Sequence, residues 1–386
     1  MRLALLSNAS VIHTRRWGDY FHARGHQVLL VSLEPGSGYA YPCHVLESWI
    51  PGRFLRYPLL SKRVGKLVRE FGTELVNAHF VPNYGLIGAL IERHPLVVSV
   101  WGSDVLVSGR RSPLHAARAR FVLGRADHVT TDAEMLTRAA CALGAKPARV
   151  LTVPMGVEPE PYRAARRAAL ARPEERPLVV STRKLESVYD VRTLIGALPD
   201  LWLARPELQV TVTGDGPERA RLVKAAREAA GTRADRITFT GMVPHSEMAA
   251  VLGRAQIYVS TSLSDSTSVS LLEAMAAGAF PVVTDLEANR EWIEDGRNGF
   301  LVPVGSPAKL AERILVALAD PALRARAAAE NERRIDERAT WAKNMAEVER
   351  LFLSLIGAGP GAPSAQHPSP AGRPSPAGRP SAGAAG

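Results

Sequence analysis

Residues 264–278 read Ser-Asp-Ser-Thr-Ser-Val-Ser-Leu-Leu-Glu-Ala-Met-Ala-Ala-Gly, and this stretch decides the fold of the second half of the chain. Ser268 has the side chain to cap a helix. Leu271, Leu272 and Met275 recur at helical spacing on one face, and Gly278 is the residue type that ends a helix before the apolar strand Pro281-Val282-Val283. A polar loop, a helix and a buried strand in that order make one unit of an α/β sheet. Glu273 then lies in the first turns of the helix and Asp265 in the loop before it, so both carboxylates can converge on one ligand. Ser266, Thr267, Ser268, Val269 and Ser270 surround the positive end of the helix, where exposed N–H groups can hold a diphosphate. One carboxylate can accept from sugar hydroxyls and the other from ribose hydroxyls, which suits a sugar linked to a nucleoside diphosphate.

Outward from this stretch, apolar runs at 178–181, 210–212, 237–239, 257–259 and 281–283 alternate with helical segments, the pattern of a Rossmann-like domain over 178–340. An earlier series at 3–6, 28–31, 75–78, 96–100, 128–131 and 150–153 predicts another such domain over 1–160. Between them, 161–177 is rich in Arg, Ala, Glu and Pro without a clear apolar period and reads as a linker. A helix is expected over 341–356, with Trp341, Met345, Val348, Leu351, Phe352 and Leu355 as its apolar stripe. The Pro/Gly/Ala/Ser-rich tail 357–386 repeats Ser-Pro-Ala-Gly-Arg-Pro and is expected to be disordered.

Several further residues carry chemistry. Arg183 and Lys184 follow the first strand of the second domain, where cations would meet a diphosphate; a solvated basic turn is the other reading of Lys184. Gly214-Asp215-Gly216-Pro217 follows a strand and opens a helix, permitting backbone approach to a nucleotide or simply making a strand-to-helix turn. In the first domain Arg15 and Arg16 lie at an expected helix start, open either to phosphate or acidic-acceptor binding or to a solvated cap. His79, Trp101 and Asp104 follow strands whose carboxyl ends should line a cleft. Trp101 can stack on a sugar, Asp104 can accept from a hydroxyl, and His79 reads equally as an acceptor contact or as a strand-end His satisfied by backbone.

At these residues the chain resembles the family-4 retaining glycosyltransferases, whose signature is Glu-x7-Glu followed by Ala-Met-Ala and Gly. Here Asp265 stands at the first Glu, Ser266-Thr267-Ser268 replaces Gly-Phe-Gly, Arg183 matches a diphosphate-binding Arg, and Tyr189 stands where the family has Lys. The chain also lacks the Gly-Gly of many members after the first strand, and has Trp101 where many have His. The resemblance implies a GT-B fold, two Rossmann-like domains facing a cleft, with the last helix returning to the first domain. It implies transfer of a hexose with retention of configuration by front-face displacement. On it Arg183, Lys184 and Asp265 would be catalytic. Gly214, Asp215, 266–270 and Glu273 would bind the donor, and Arg15, Arg16, His79, Trp101 and Asp104 the acceptor. The expected donor is a UDP- or GDP-sugar, with no cofactor and no metal; the acceptor would be a sugar, a lipid-linked glycan or a small molecule. An epimerase or phosphorylase of the same fold, or a non-catalytic sugar-nucleotide binder, remains the alternative.

The formal charge of +10 over 386 residues points to acidic partners. No nucleic-acid-binding signature accompanies it, and no hydrolase or Walker A motif is present. Two cysteines, Cys43 and Cys141, give neither a disulfide framework nor metal-ligand spacing. No apolar run is long enough to span a membrane, so a cytoplasmic enzyme is expected. Residues 53–69 interleave Arg53, Arg56, Lys62, Arg63, Lys66 and Arg69 with Leu59, Leu60, Val64, Leu67 and Val68. That pattern predicts peripheral contact with an anionic membrane, or a helix packed on its own sheet.

Overall fold

The computed structural model describes residues 1–47, 53–91, 95–106, 112–171 and 176–357. Two wholly parallel sheets form the molecule. The first contains β1 (Arg2–Leu6), β2 (Gln27–Ser32), β3 (Cys43–Val45), β4 (Leu75–His79), β5 (Leu96–Ser99), β6 (His128–Thr131) and β7 (Val150–Thr152), in the order β3-β2-β1-β4-β5-β6-β7. The second contains β8 (Leu178–Ser181), β9 (Gln209–Thr213), β10 (Ile237–Gly241), β11 (Ile257–Ser260), β12 (Phe280–Thr284) and β13 (Phe300–Val302), in the order β10-β9-β8-β11-β12-β13. Both are doubly wound GT-B halves, as expected. The order reverses between β1 and β4 and again between β8 and β11, and such reversals open the crevices where ligands of α/β sheets bind.

The central strands are apolar throughout because both faces of each sheet are covered. Successive side chains of β1 go to opposite sides: Ala4 and Leu6 join one core with Val76, Ala78 and Val98, while Leu3 and Leu5 join another with Leu75 and Val97. The helix Trp341–Gly357 closes that second core on the first domain. Trp341, Met345, Val348, Leu351 and Phe352 are buried there, and the Phe21 and Phe352 rings stack at 5.2 Å. Glu349 accepts from Tyr20 Oη at 3.0 Å, Arg24 Nε at 3.2 Å and His26 Nε2 at 2.7 Å, which pins the returning helix.

Four segments differ from the sequence reading. The supposed linker at 161–177 is largely helical: Pro159–Ala171 buries Tyr162 in the second domain's core. A Cβ at Gly253 would lie 2.7 Å from the Ala165 carbonyl carbon, so glycine lets the helix His245–Arg254 approach this one closely. Small residues replace an apolar stripe, which hid the helix. The short strands β3 and β13 were also not foreseen. Finally, the helix Arg53–Glu70 buries Tyr57, Leu60, Val64 and Val68 against its own sheet, leaving Leu59, Lys62, Arg63, Lys66 and Arg69 exposed. Its apolar stripe is therefore core, not a membrane-inserting face. The tail expected to be disordered lies outside the described residues from 358 onward.

Candidate functional site

The helix Val269–Ala276 opens as its sequence predicts, with Ser268 Oγ accepting from Leu271 N at 3.4 Å. Arg183, at the end of β8, crosses the crevice between β8 and β11 to this helix start. Its Nη2 donates to Asp265 Oδ2 at 2.6 Å, and its Nη1 donates to Ser268 Oγ and, at 2.9 Å, to Ser270 Oγ. The guanidinium lies 4.2 Å from the Tyr189 ring centroid, and Arg183 is only 8% exposed. Burial disfavours its charge more than any one neighbour favours it, but Asp265 together with Tyr258 and Tyr189 outweighs burial and raises its pKa. Asp265 Oδ1 accepts from Ser266 N at 3.1 Å. Tyr189, standing where the resembled family has Lys, is thus the platform on which Arg183 rests. Lys184, the next residue, is exposed.

Glu273 is buried on the same helix. Burial raises its pKa, opposed by a hydrogen bond from Tyr162 and the charges of His245, Arg16 and Arg183; the His245 Nδ1 atom is 3.6 Å from Glu273 Oε1. Gly214 and Gly216 make the strand-to-helix turn that was one of the two readings of their sequence, and they lie against the Arg183 loop. At φ +106° a Cβ on Gly214 would lie 2.6 Å from the Arg183 carbonyl oxygen, and one on Gly216 would strike the Leu185 backbone. Leu185 N donates to the Asp215 carbonyl at 3.0 Å, and Asp215 Oδ1 accepts from Gly216 N at 2.7 Å. These glycines let the Arg183 loop be clamped from behind; their close approach is to protein backbone.

In the first domain, three expected acceptor contacts are committed elsewhere. His79 is 1% exposed, with Nδ1 3.0 Å from Ser7 Oγ and Nε2 3.0 Å from Asn77 Oδ1; burial lowers its pKa to about 3. Asp104 accepts from Val81 N at 3.1 Å and Trp101 N at 3.2 Å, and burial lifts its pKa to about 6. It organises the loops after β4 and β5, so its oxygens are not turned to a sugar. Arg15 donates to the carbonyls of Gly38, at 2.6 Å, and Ser37 and lies over the Tyr39 ring, so it braces a loop. Arg16 stacks 4.1 Å over Trp341 and feels Glu158 and Glu273, while burial lowers its pKa. Trp101 packs against His13, His79 and Trp17.

The second domain's loop docks on the first. Ser266 Oγ donates to Asp132 Oδ2 at 3.0 Å and Thr267 Oγ1 to the Asp132 carbonyl at 2.6 Å, and a Cβ on Gly102 would lie 3.2 Å from Ser266 Oγ. Burial, with Asp104 and Asp265 nearby, lifts the Asp132 pKa to about 8. Sequence reasoning passed over Asp132, His13, Tyr162 and His245. His13 and Asp132 each follow a strand end, a signal that was usable; Tyr162 and His245 gave none, because only tertiary packing brings them to Glu273. Among the described residues no group of three or more His, Cys, Asp or Glu is placed to hold a metal ion.

Residues 163–334 match the model of glycosyl transferases group 1, and residues 2–133 that of glycosyl transferase 4-like proteins. A phosphatidyl-myo-inositol mannosyltransferase of Mycolicibacterium smegmatis is 34% identical over 167 residues, 43% of this chain and 42% of that protein. The match thus spans less than half of that relative. A 2-deoxystreptamine glucosyltransferase of Streptomyces kanamyceticus is 28% identical over 67% of this chain and 71% of its own length. Among solved structures, sucrose-phosphate synthase from Thermosynechococcus elongatus superposes with a TM-score of 0.79 at 19% identity, covering 93% of this chain and 100% of that one. Anabaena Alr3699/HepE in complex with UDP gives a TM-score of 0.76 at 18% identity, covering 92% and 100%. Both likenesses bear on the fold.

Proposed function

Because the chain belongs to the group 1 glycosyltransferases, with a glycosyl transferase 4-like first half, we propose that it transfers a hexose from a UDP- or GDP-sugar to an acceptor hydroxyl with retention of configuration. The observation that carries this reading is the convergence of Arg183, Asp265 and Glu273 on the start of the helix Val269–Ala276, where β8 and β11 part. The HepE structures in complex with UDP and with UDP-glucose support a nucleotide-sugar donor by analogy of fold.

In this mechanism the helix N-terminus and Lys184 receive the diphosphate, and Arg183, held by Asp265 and Tyr189, supplies a fixed positive charge beside it. As the glycosidic bond breaks, negative charge grows on the leaving diphosphate, where preorganised cations and N–H groups stabilise it most. Glu273 accepts from the ribose hydroxyls. The acceptor enters from the first domain and gives its proton to the departing phosphate oxygen, so no protein base is required. The proposal includes no metal. No described helix is long and apolar enough to cross a membrane; we place the enzyme in the cytoplasm, with the exposed basic face of Arg53–Glu70 as the surface for anionic lipid.

A panel of UDP- and GDP-sugars, read by release of nucleoside diphosphate with and without candidate acceptors, tests the reading. Acceptor-dependent release that continues in excess chelator supports it. Release that requires phosphate identifies a phosphorylase, donor turnover without acceptor an epimerase, and binding without turnover a sugar-nucleotide sensor.

A further inference from the structure

The first domain has its own strand-order reversal, between β1 and β4, and two imidazoles flank it. His79, at the end of β4, has both ring nitrogens engaged by Ser7 and Asn77. His13, in the first turn of the helix after β1, has no such partners: its Nδ1 is buried without a hydrogen bond. Its ring lies nearly parallel to Trp101, with centroids 6.0 Å apart and 13° between planes. Trp17 and His79 brace the same indole edge-on, so the imidazole is held from below by a fixed aromatic stack. A half-buried imidazole at a strand-order reversal, oriented by stacking and with its buried nitrogen left unpaired, is not fixed by hydrogen bonds as His79 is, and its partly exposed edge is free to meet a ligand.

Across the cleft His13 meets Lys184 and His245 of the second domain. Burial, then Arg16 of its own helix, then Lys184 and His245 lower its pKa to about 4. The imidazole is therefore neutral at working pH and can accept a hydrogen bond, which an imidazolium cannot. Lys184 follows Arg183, which reaches the helix start assigned to the diphosphate, and His245 Nδ1 lies 3.6 Å from Glu273 Oε1 on that helix, so a donor held there would turn its sugar toward His13.

We propose that His13 is a specificity-determining residue that binds one hydroxyl of the sugar being transferred, with Trp101 as the platform that orients it. The inference rests on the glycosyl-transfer reading above. It assigns sugar selection in part to the loop after β1, although the donor's nucleotide is held by the other domain.

The test pairs His13→Phe and His13→Asn with a series of monodeoxy analogues of whichever donor the native protein uses. His13→Phe keeps a stacking ring and removes the acceptor; His13→Asn keeps an acceptor and loses the ring. The expected result is a fall in kcat/KM of about tenfold to a hundredfold in His13→Phe, with smaller loss in His13→Asn and unchanged affinity for the free nucleoside diphosphate. One deoxy donor should abolish the difference between native protein and His13→Phe, because its missing hydroxyl is the one bound; the others should preserve it. Equal kcat/KM for native protein and both variants, or a gap that no deoxy donor closes, overturns the assignment while leaving the transferase reading intact. A native protein that transfers from no donor removes both. Should His13→Phe not fold, His13→Asn against the same deoxy series decides alone.

Discussion

Removing both partners of the Arg183–Asp265 pair should cost much less than the sum of the two single losses. Arg183 is held by one carboxylate oxygen, two serine hydroxyls and the face of Tyr189, and the side chains are 9% and 16% exposed. Arg183→Met leaves Asp265 buried with the Ser266 N–H as its remaining backbone donor. Loss of one member of a buried pair costs about 3 to 5 kcal/mol; burial already pushes the Asp265 carboxyl up against the pull of Arg183, so protonation relieves part of the penalty and the lower end applies. Asp265→Asn keeps an oxygen toward the guanidinium and leaves both serines, so about 1.5 to 3 kcal/mol is expected. The double variant should lose about 3 kcal/mol, giving a coupling of about 2 kcal/mol between contacting sites. Equilibrium urea unfolding followed by tryptophan fluorescence reads all four proteins. Additivity to within about 0.5 kcal/mol would refute the pairing. The same set reports on function: Asp265→Asn should bind free nucleoside diphosphate more tightly, since it frees a cation beside the phosphate site, and unchanged or weaker binding would mean that Arg183 does not reach the diphosphate.

Glu273→Gln should weaken UDP or GDP binding about tenfold or more by removing a charged acceptor from the ribose, while melting temperature stays near native; calorimetric titration giving the native affinity removes the ribose assignment. The hydrogen bonds of His26, Tyr20 and Arg24 overcome burial and lower the Glu349 pKa. Its stabilising contribution is thus complete above the usual glutamate range near pH 4.5 and is lost as pH falls through the depressed folded value. Glu349→Gln should therefore flatten the acid side of the stability–pH curve, and an unchanged slope would place the acid sensitivity elsewhere. Reversing Lys62, Arg63, Lys66 and Arg69 should abolish a salt-sensitive binding to anionic vesicles; a native protein that ignores such vesicles at low salt points to a soluble acceptor.

The parallel sheets were legible because strands buried on both faces leave unbroken apolar runs, and the crossing helix because its stripe of Trp341, Met345, Val348 and Phe352 has a clear period. The cap at Ser268 could be read from one residue type in one place. Harder to see was where polar side chains spend their hydrogen bonds. Asp104 and His79 carry the right groups at the right strand ends, yet one is consumed by backbone N–H groups and the other by Asn77 on its own strand and by Ser7, 72 residues away in the chain. Gly214 and Gly216 left both readings open for a related reason: a glycine announces close approach without naming what approaches. The Pro159–Ala171 helix was missed because it packs through alanines and one tyrosine.

The returning helix also sets an order of assembly. Phe352 and Met345 fill the trough above β1, so the core begun by Leu3 and Leu5 stays open until residues near the far end of the chain have been synthesised. The second domain carries its own two cores between residues 157 and 339 and can close first. During vectorial synthesis, where domains generally mature from the amino terminus, the half of this protein that is made first is the half that is finished last.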